Sequence, residues 1–338
     1  MKYKRMGAQT VRFDNPPSVA AGASVVGKKE GEGPLADSFD IIENDSFMGE
    51  ATWERAESAS QRLALDTALK KAGKVRGDVD YVFAGDLLNQ CTGTSFGLRG
   101  TGIPFFGVYG ACSTSAECLA LAAMMLDGGF AGCTAAVTSS HFCAAERQFR
   151  FPLEYGGQRT PTAQWTVTGA GAFVLVREGG GPYVTHATCG KIVDMGVTDA
   201  NNMGAAMAPA AYETLRAHFD DTGMGPNNYD LIVTGDLGLV GCAILADLFL
   251  RDGIDIRNRY HDCGAMIFDA ARQDVKSGGS GCGCSAAVLA GHLLGGMRGG
   301  KWGKILFAAT GALLSVTSTQ QRESIPGICH AVAISNVK

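Results

Sequence analysis

Apolar positions along this chain fall into two periodic patterns that alternate. Leu65, Ala68, Leu69 and Ala72 form an i, i+3, i+4, i+7 stripe, which predicts an amphipathic helix. A turn at 73–78 leads to Asp80-Tyr-Val-Phe-Ala-Gly-Asp-Leu87, a short buried-strand pattern ending in Gly-Asp. The same pair recurs later. Ala208, Ala211, Tyr212, Leu215 and Phe219 form a second stripe, and a turn at 222–228 leads to Asp230-Leu-Ile-Val-Thr-Gly-Asp-Leu237. Asp, Gly, Asp and Leu are identical in the two strand segments. Residues 110–140 then align without gaps on 281–311. Each stretch runs from a Gly/Cys/Ser turn through an apolar helix and a Gly-rich turn to an apolar strand, at 134–138 and 305–309. Alternating helices and strands predict a mainly parallel sheet. Their duplication predicts two pseudo-equivalent halves, 1–176 and 177–338, with a site at the junction. The helix after residue 112 is apolar nearly all round, so it is expected between two sheets. Residues 12–52 carry no long regular pattern, and 22–34 reads as an exposed loop. The other irregular stretch, 142–165, is polar and directly follows a core strand, a usual position for a segment that covers a site.

With 338 residues, 46% of them hydrophobic and 18% charged, the chain is globular and has room for a large core. Its 29 basic and 33 acidic residues give a formal charge of −4, and no basic block interleaves with aromatics. A nucleic-acid partner is therefore not expected. The 47 glycines are scattered and suit tight turns and close backbone approaches. The cysteines number eleven, an odd count, and the N-terminal Met1-Lys-Tyr-Lys-Arg-Met6 has no apolar segment behind its charges. Free thiols in a reducing, cytoplasmic compartment are the expectation. Gly281-Cys-Gly-Cys284 has no second Cys or His pair at zinc-finger spacing. The longest apolar runs, such as 305–314, are too short to span a bilayer.

The chemistry concentrates at Gly110-Ala-Cys-Ser-Thr-Ser115. An apolar run, 103–109, leads into it, and the helix-like run of Ala116, Leu119, Ala120 and Ala123 leaves it. A cysteine at a strand-to-helix turn lies where backbone N–H groups and the helix dipole favour negative charge. That suits a thiolate nucleophile or a bound anion.

Two such halves, with a cysteine at the strand–helix turn of the first, resemble the thiolase fold, a duplicated five-layer α/β/α/β/α architecture. In that superfamily the turn holds an acyl-accepting nucleophile, which implies Cys112 here. Longer strings resemble the stage V sporulation protein AD family. They include Gly85-Asp-Leu-Leu-Asn-Gln90, Thr138-Ser-Ser-His141, Ala145-Glu-Arg-Gln-Phe-Arg150, Glu154-Tyr-Gly-Gly157, Met207-Ala-Pro-Ala-Ala211, His261-Asp-Cys-Gly264 and Ala309-Thr-Gly-Ala-Leu-Leu-Ser315. This resemblance implies a spore-forming bacterium and a protein that binds dipicolinic acid and helps move it, with calcium, into the developing spore. It also implies a peripheral place at the spore inner membrane, through small integral membrane subunits. The thiolase resemblance implies a homodimer paired through the first half.

A condensing enzyme of this fold needs a base or oxyanion donor beside the thiol, commonly two histidines or His plus Asn from the second half. The expected places read Gly235-Asp-Leu-Gly-Leu-Val-Gly241 and Gly279-Ser-Gly-Cys-Gly-Cys284, with neither His nor Asn. The expectation is therefore a non-catalytic binder without a cofactor. The alternative is an acyltransferase using Cys112 with an unusual partner such as His141 or His261. The expected ligand site joins Cys112, Ser113, Asp86, Asn89, Ser140, His141, Arg147, Arg150, Gln158, Asp236, Ser280 and Thr310. Asp86 and Asp236 end equivalent strands and are the candidate oxygen ligands if calcium enters with the acid. Arg147 and Arg150 are the candidate partners of a planar dianion. Phe13, Pro16, Pro17, Val19 and the 22–34 loop are the candidate contacts with membrane subunits.

Overall fold

The structure, a computed structural model, describes residues 3–149 and 159–338. Ten strands form two five-stranded sheets of the same topology, joined into one continuous sheet that also takes in the short strands Arg5–Met6, Thr10–Arg12 and Ile41–Glu43. The first uses β1 (Ser18–Gly27), β2 (Tyr81–Gly85), β3 (Phe105–Gly107), β4 (Cys133–Ser140) and β5 (Gly169–Val176), in the order β1-β5-β4-β2-β3. The second uses β6 (Tyr183–Thr188), β7 (Leu231–Thr234), β8 (Tyr260–Asp262), β9 (Lys304–Ala312) and β10 (Gly327–Ser335), in the order β6-β10-β9-β7-β8. They meet edge to edge through the Ser18–Tyr183 pair.

Helices fill three layers. α1 (Trp53–Lys71) and α2 (Thr92–Leu98) cover the outer face of the first sheet. α3 (Thr114–Asp127) lies between the sheets. α4 (Phe142–Phe149) follows β4, while α5 (Met203–Thr222) and α6 (Gly238–Arg251) cover the outer face of the second sheet. α7 (Cys282–Val288) joins α3 in the central layer and continues through a π turn, Leu289–Leu293, into α8 (Leu294–Arg298). The gapless 110–140/281–311 repeat is thus α3 with β4, set against α7, the π turn and α8 with β9. Every residue of α7 is buried, and α3 keeps only Glu117, Leu121, Met124 and Met125 half-buried. Their all-round apolar surface needs a sheet on each side.

The sheets are mixed rather than mainly parallel. β2 runs parallel to β3 and β4, and β7 to β8 and β9. However, β5 is antiparallel to both β4 and β1, and β10 to both β9 and β6. Among the described residues no helix packs the connection into β5 or β10 back across its sheet, and each of those strands runs opposite to its neighbours.

The 22–34 stretch is not an exposed loop. Its first part completes β1, a strand buried on both faces, and only the short helix Lys28–Gly31 and the turns after it reach the surface. Small residues hide this strand from a periodicity search, and packing requires them. A Cβ on Gly22 would approach Leu294 Cδ1 to 2.9 Å and Ala290 Cα to 3.3 Å. Phe13, Pro17 and Val19 are buried in the same region, which removes them as partner contacts and leaves Pro16 half-buried. Among the described residues no helix is long and apolar enough to cross a membrane.

Candidate functional site

The strand–turn–helix around Cys112 is built as its sequence predicts. β3 delivers the chain to Gly110, and Ala111 turns it with φ of 50°, a left-handed conformation that costs a non-glycine residue energy and persists only under close packing. The packing comes from the second half. A Cβ on Gly311 of β9 would lie 2.4 Å from the Gly110 carbonyl oxygen and 3.2 Å from the Cys112 nitrogen. Ser113 is wholly buried; its Oγ donates to the Gly110 carbonyl at 2.7 Å, and Thr114 Oγ1 accepts from the Gly110 amide at 2.9 Å. These hydroxyls hold the turn and do not face a ligand.

Cys112 opens onto a small, largely apolar cavity of about 40 Å³, space for a few waters. Its wall includes Leu87, Tyr109, Phe149, Met203 and Leu314, with polar groups from Glu146, Thr166 and Ser280. The two-residue pairing of Gly279–Ser280 with Trp165–Thr166 sets Ser280 and Thr166 side by side. Ser280 Oγ lies 3.9 Å from the Cys112 sulfur.

Asp236 lies where the thiolase resemblance would put a base. It is fully buried and accepts from Thr310 Oγ1 at 2.7 Å, the Gly281 amide at 2.9 Å and Ser280 Oγ at 3.2 Å. Its loop is pinned by Asp262, which accepts from Thr234 Oγ1, Leu237 N and Gly238 N. Gln164 ties the same loop to Gly279, donating to the Gly279 and Asp236 carbonyls. The consequence falls on Cys112. Burial, and then the facing Asp236 carboxylate, push its thiol well above the usual cysteine range. The helix N-terminus does not reverse this, so the site holds a neutral thiol where the sequence suggested a thiolate.

Other predicted residues are scattered. Asp86, pseudo-equivalent to Asp236, accepts from the Leu88 amide at 2.7 Å, the Thr94 amide at 2.7 Å and Thr94 Oγ1 at 2.6 Å. It caps the turn into α2 and does not line the cavity. Ser140 Oγ donates to the Val167 carbonyl at 2.7 Å. His141 is 1% exposed, with Nε2 2.8 Å from the Ser46 carbonyl oxygen, beneath the 44–52 loop and away from the cavity. Arg147 pairs with Glu54 on the outer surface and lies over the Trp53 ring at 5.4 Å. Asn89 is exposed, and its amide donates to Gln148 Oε1. His261 is exposed on β8, away from Cys112. Arg150 and Gln158 lie outside the described residues. Among the described residues no group of three or more His, Cys, Asp or Glu is arranged to hold a metal ion. All eleven cysteines are free thiols.

The sequence reading missed Glu146 and Arg159. Glu146 accepts from Thr166 Oγ1 at 3.3 Å, and Arg159 Nη1 lies 3.7 Å from its carboxylate. Arg159 also stacks over Phe142 and Trp165 at 5.8 and 5.3 Å. A signal existed: Phe142, Ala145, Glu146 and Phe149 share one helical face, so the acid is the polar member of an inward stripe.

The architecture defines the class. Among solved structures the chain is similar to a variant of OleA from Xanthomonas campestris, at 16% identity, covering 96% of this chain and 99% of that one with a TM-score of 0.62. It is also similar to 3-oxoacyl-[acyl-carrier-protein] synthase III of Aquifex aeolicus VF5, at 13% identity, 94% and 99% coverage and a TM-score of 0.59. The fold is therefore thiolase-like. Within that class, residues 7–335 match the family model of stage V sporulation protein AD. Stage V sporulation protein AD of Bacillus subtilis (strain 168) is 45% identical over 329 residues, which cover 97% of each chain. The chain belongs to the stage V sporulation protein AD family.

Proposed function

We propose that this chain binds dipicolinic acid, as the acid or its calcium complex, in the cavity above Cys112, and performs no chemistry on it. The binding serves uptake into the developing spore, with membrane-embedded subunits of the same sporulation complex as partners. The observation that carries the non-catalytic reading is Asp236. Acyl transfer needs a neighbour that removes the thiol proton, and a buried carboxylate facing the sulfur does the reverse. The ligand's form follows from the charges around the cavity. Glu146 is the carboxylate on its wall, and Arg159, paired with Glu146, is the cation beside it. A free dianion meets the Glu146 carboxylate there, whereas a calcium chelate arrives neutral and offers the metal to Glu146. Glu146 thus replaces Asp86 as the carboxylate suited to the ion. The cavity must widen for a ring to enter, and the side chains of Phe149 and Leu314 form the wall to be displaced.

Calorimetric titration with dipicolinate, with and without calcium, tests this. Binding is expected to be tighter with calcium, and Glu146→Gln to remove that difference. A charge-assisted contact of this kind is worth about 1.5–3 kcal/mol, roughly ten- to a hundredfold in affinity. Cys112→Ala is expected to weaken binding through lost shape. Unchanged affinity in both variants would place the ligand elsewhere. An acetyl or malonyl thioester on Cys112 after incubation with the coenzyme A esters, seen by intact mass and absent in Cys112→Ser, would favour the acyltransferase.

A further inference from the structure

A second concavity lies at the far end of the second sheet. Lys304 opens β9, while Thr310, which holds Asp236, is six residues further on, about 20 Å along a strand. Lys304 borders a groove of about 510 Å³ together with Arg12, His186, Met224 and Lys338, and with Asp14 as the acid. Asp14 has Lys4 at 3.8 Å. Among the described residues neither Lys304 nor Arg12 is within ion-pair distance of a carboxylate. The Lys304 ammonium is half-buried, contacts Met224 Sδ at 3.1 Å and lies over the Tyr229 ring at 5.0 Å. A thioether is a weak acceptor, so this cation is partly desolvated without an anionic partner.

The internal repeat supplies a control. The first sheet has the pseudo-equivalent groove, about 540 Å³, at its own corresponding end. There Cys133 occupies the position of Lys304, and Lys74 and Arg177 are matched by Asp78, Asp80 and Glu178. The fold needs a groove at this place and does not need it basic. The excess positive charge belongs to the groove of the second sheet, to which the N-terminal segment adds Arg12.

We infer that the groove of Lys304, Arg12 and His186 is a binding site for a small divalent oxyanion, a phosphate or a dicarboxylate. Lys304 supplies a point charge, Arg12 a fork of donors, and the His186 ring an N–H. Burial followed by Lys304 and Arg12 pushes His186 down to about 4, so a bound dianion must raise it. The surrounding charges are Arg12, Asp14, Lys304 and Lys338 on the rim and the buried His218 ring 6.2 Å away.

The test follows the His186 resonance by NMR in the full chain. Sulfate, divalent at every working pH, is expected to raise the His186 midpoint saturably. At neutral pH inorganic phosphate and succinate are titrated in parallel. Saturable shifts with phosphate alone identify a phosphoryl ligand, and with succinate alone a dicarboxylate. Lys304→Met and Arg12→Gln are each expected to weaken binding by roughly tenfold or more, and Arg12→Lys to restore part of it. A His186 midpoint indifferent to sulfate overturns the inference. So does a shift that persists undiminished in the double variant Lys304→Met/Arg12→Gln. The Cys112 cavity takes no part, so failure here leaves the dipicolinate reading standing.

Discussion

At the scale of single residues, the Cys112 thiol and the Asp236 carboxylate compete for the same scarce solvation, and the thiol responds by holding its proton. Burial raises both groups, and the hydrogen bonds to Asp236 from Gly281, Thr310 and Ser280 only partly offset this. Asp236→Asn keeps an acceptor for the Gly281 amide and Ser280 Oγ, turns its amide N–H toward Thr310 Oγ1, and removes the facing charge. Cys112 alkylation, followed by peptide mass against pH, is expected to shift its midpoint downward in Asp236→Asn, with faster reaction at neutral pH. An unchanged or raised midpoint would mean that burial alone sets the thiol. The local part of this site was legible. Gly110, Cys112 and Ser113 announce a turn into a helix because turn chemistry lies in neighbouring residues. Asp236 and Ser280 were reachable through the repeat. His141 and Arg147 were misplaced because their facing depends on the 44–52 loop and on Glu54, both remote in sequence.

At the scale of elements, β3 is the anomaly. It is an edge strand of the first sheet, paired only with β2, and all three of its residues are exposed. Phe106 stacks on Phe83 at 5.1 Å yet remains 49% exposed, and Phe105 is 40% exposed beside it. Its pseudo-equivalent, β8, buries two of its three residues. A bare aromatic edge invites strand addition, and a second copy of this chain is the occupant we propose. Light scattering at micromolar concentration is expected to give a dimer, and Phe106→Glu a folded monomer. A monomeric parent chain, or a dimeric Phe106→Glu, would contradict it. Long stripes such as those in α1 and α5 were legible because 3.6-residue periodicity survives without context. β1 was not, since Ala, Gly and Ser fit both a loop and a strand squeezed between two helix layers.

At the scale of the whole molecule, the duplication read from Asp80–Leu87 and Asp230–Leu237 fixes two layered halves, but not how tightly they are joined. Contacts between the halves decide that. A Cβ on Gly171 of β5 would fall 2.4 Å from the Ala286 carbonyl of α7, and Ser115 and Ser285 share a 2.6 Å hydrogen bond between the two central helices. A core this closed traps ionisable groups, and pH then acts on the entire fold. Glu30, fully buried beneath β1 and accepting from the Thr168 amide at 3.0 Å, is raised by burial to about 7. Its folded form holds the proton more tightly than the unfolded chain. The stability it contributes is therefore complete below about 4.5 and lost as pH rises through about 7, roughly 3 kcal/mol in all. The histidines act in the opposite direction. Burial pushes His218 down to about 3 and His330 to about 4, so the unfolded chain binds their protons first, and stability falls as pH drops from 6.5 through those values. The two trends bound a stability maximum on the mildly acidic side of neutrality. Thermal midpoints measured from pH 4 to 9 are expected to show it. Glu30→Gln, which keeps the acceptor for Thr168, is expected to steepen the rise between about 4.5 and 6.5 and to remove the fall between about 6.5 and 7, while leaving the profile below 4.5 intact. If Glu30→Gln reproduces the parent profile throughout, Glu30 titrates as an ordinary carboxylate and the closure of the core around β1 is looser than its burial states.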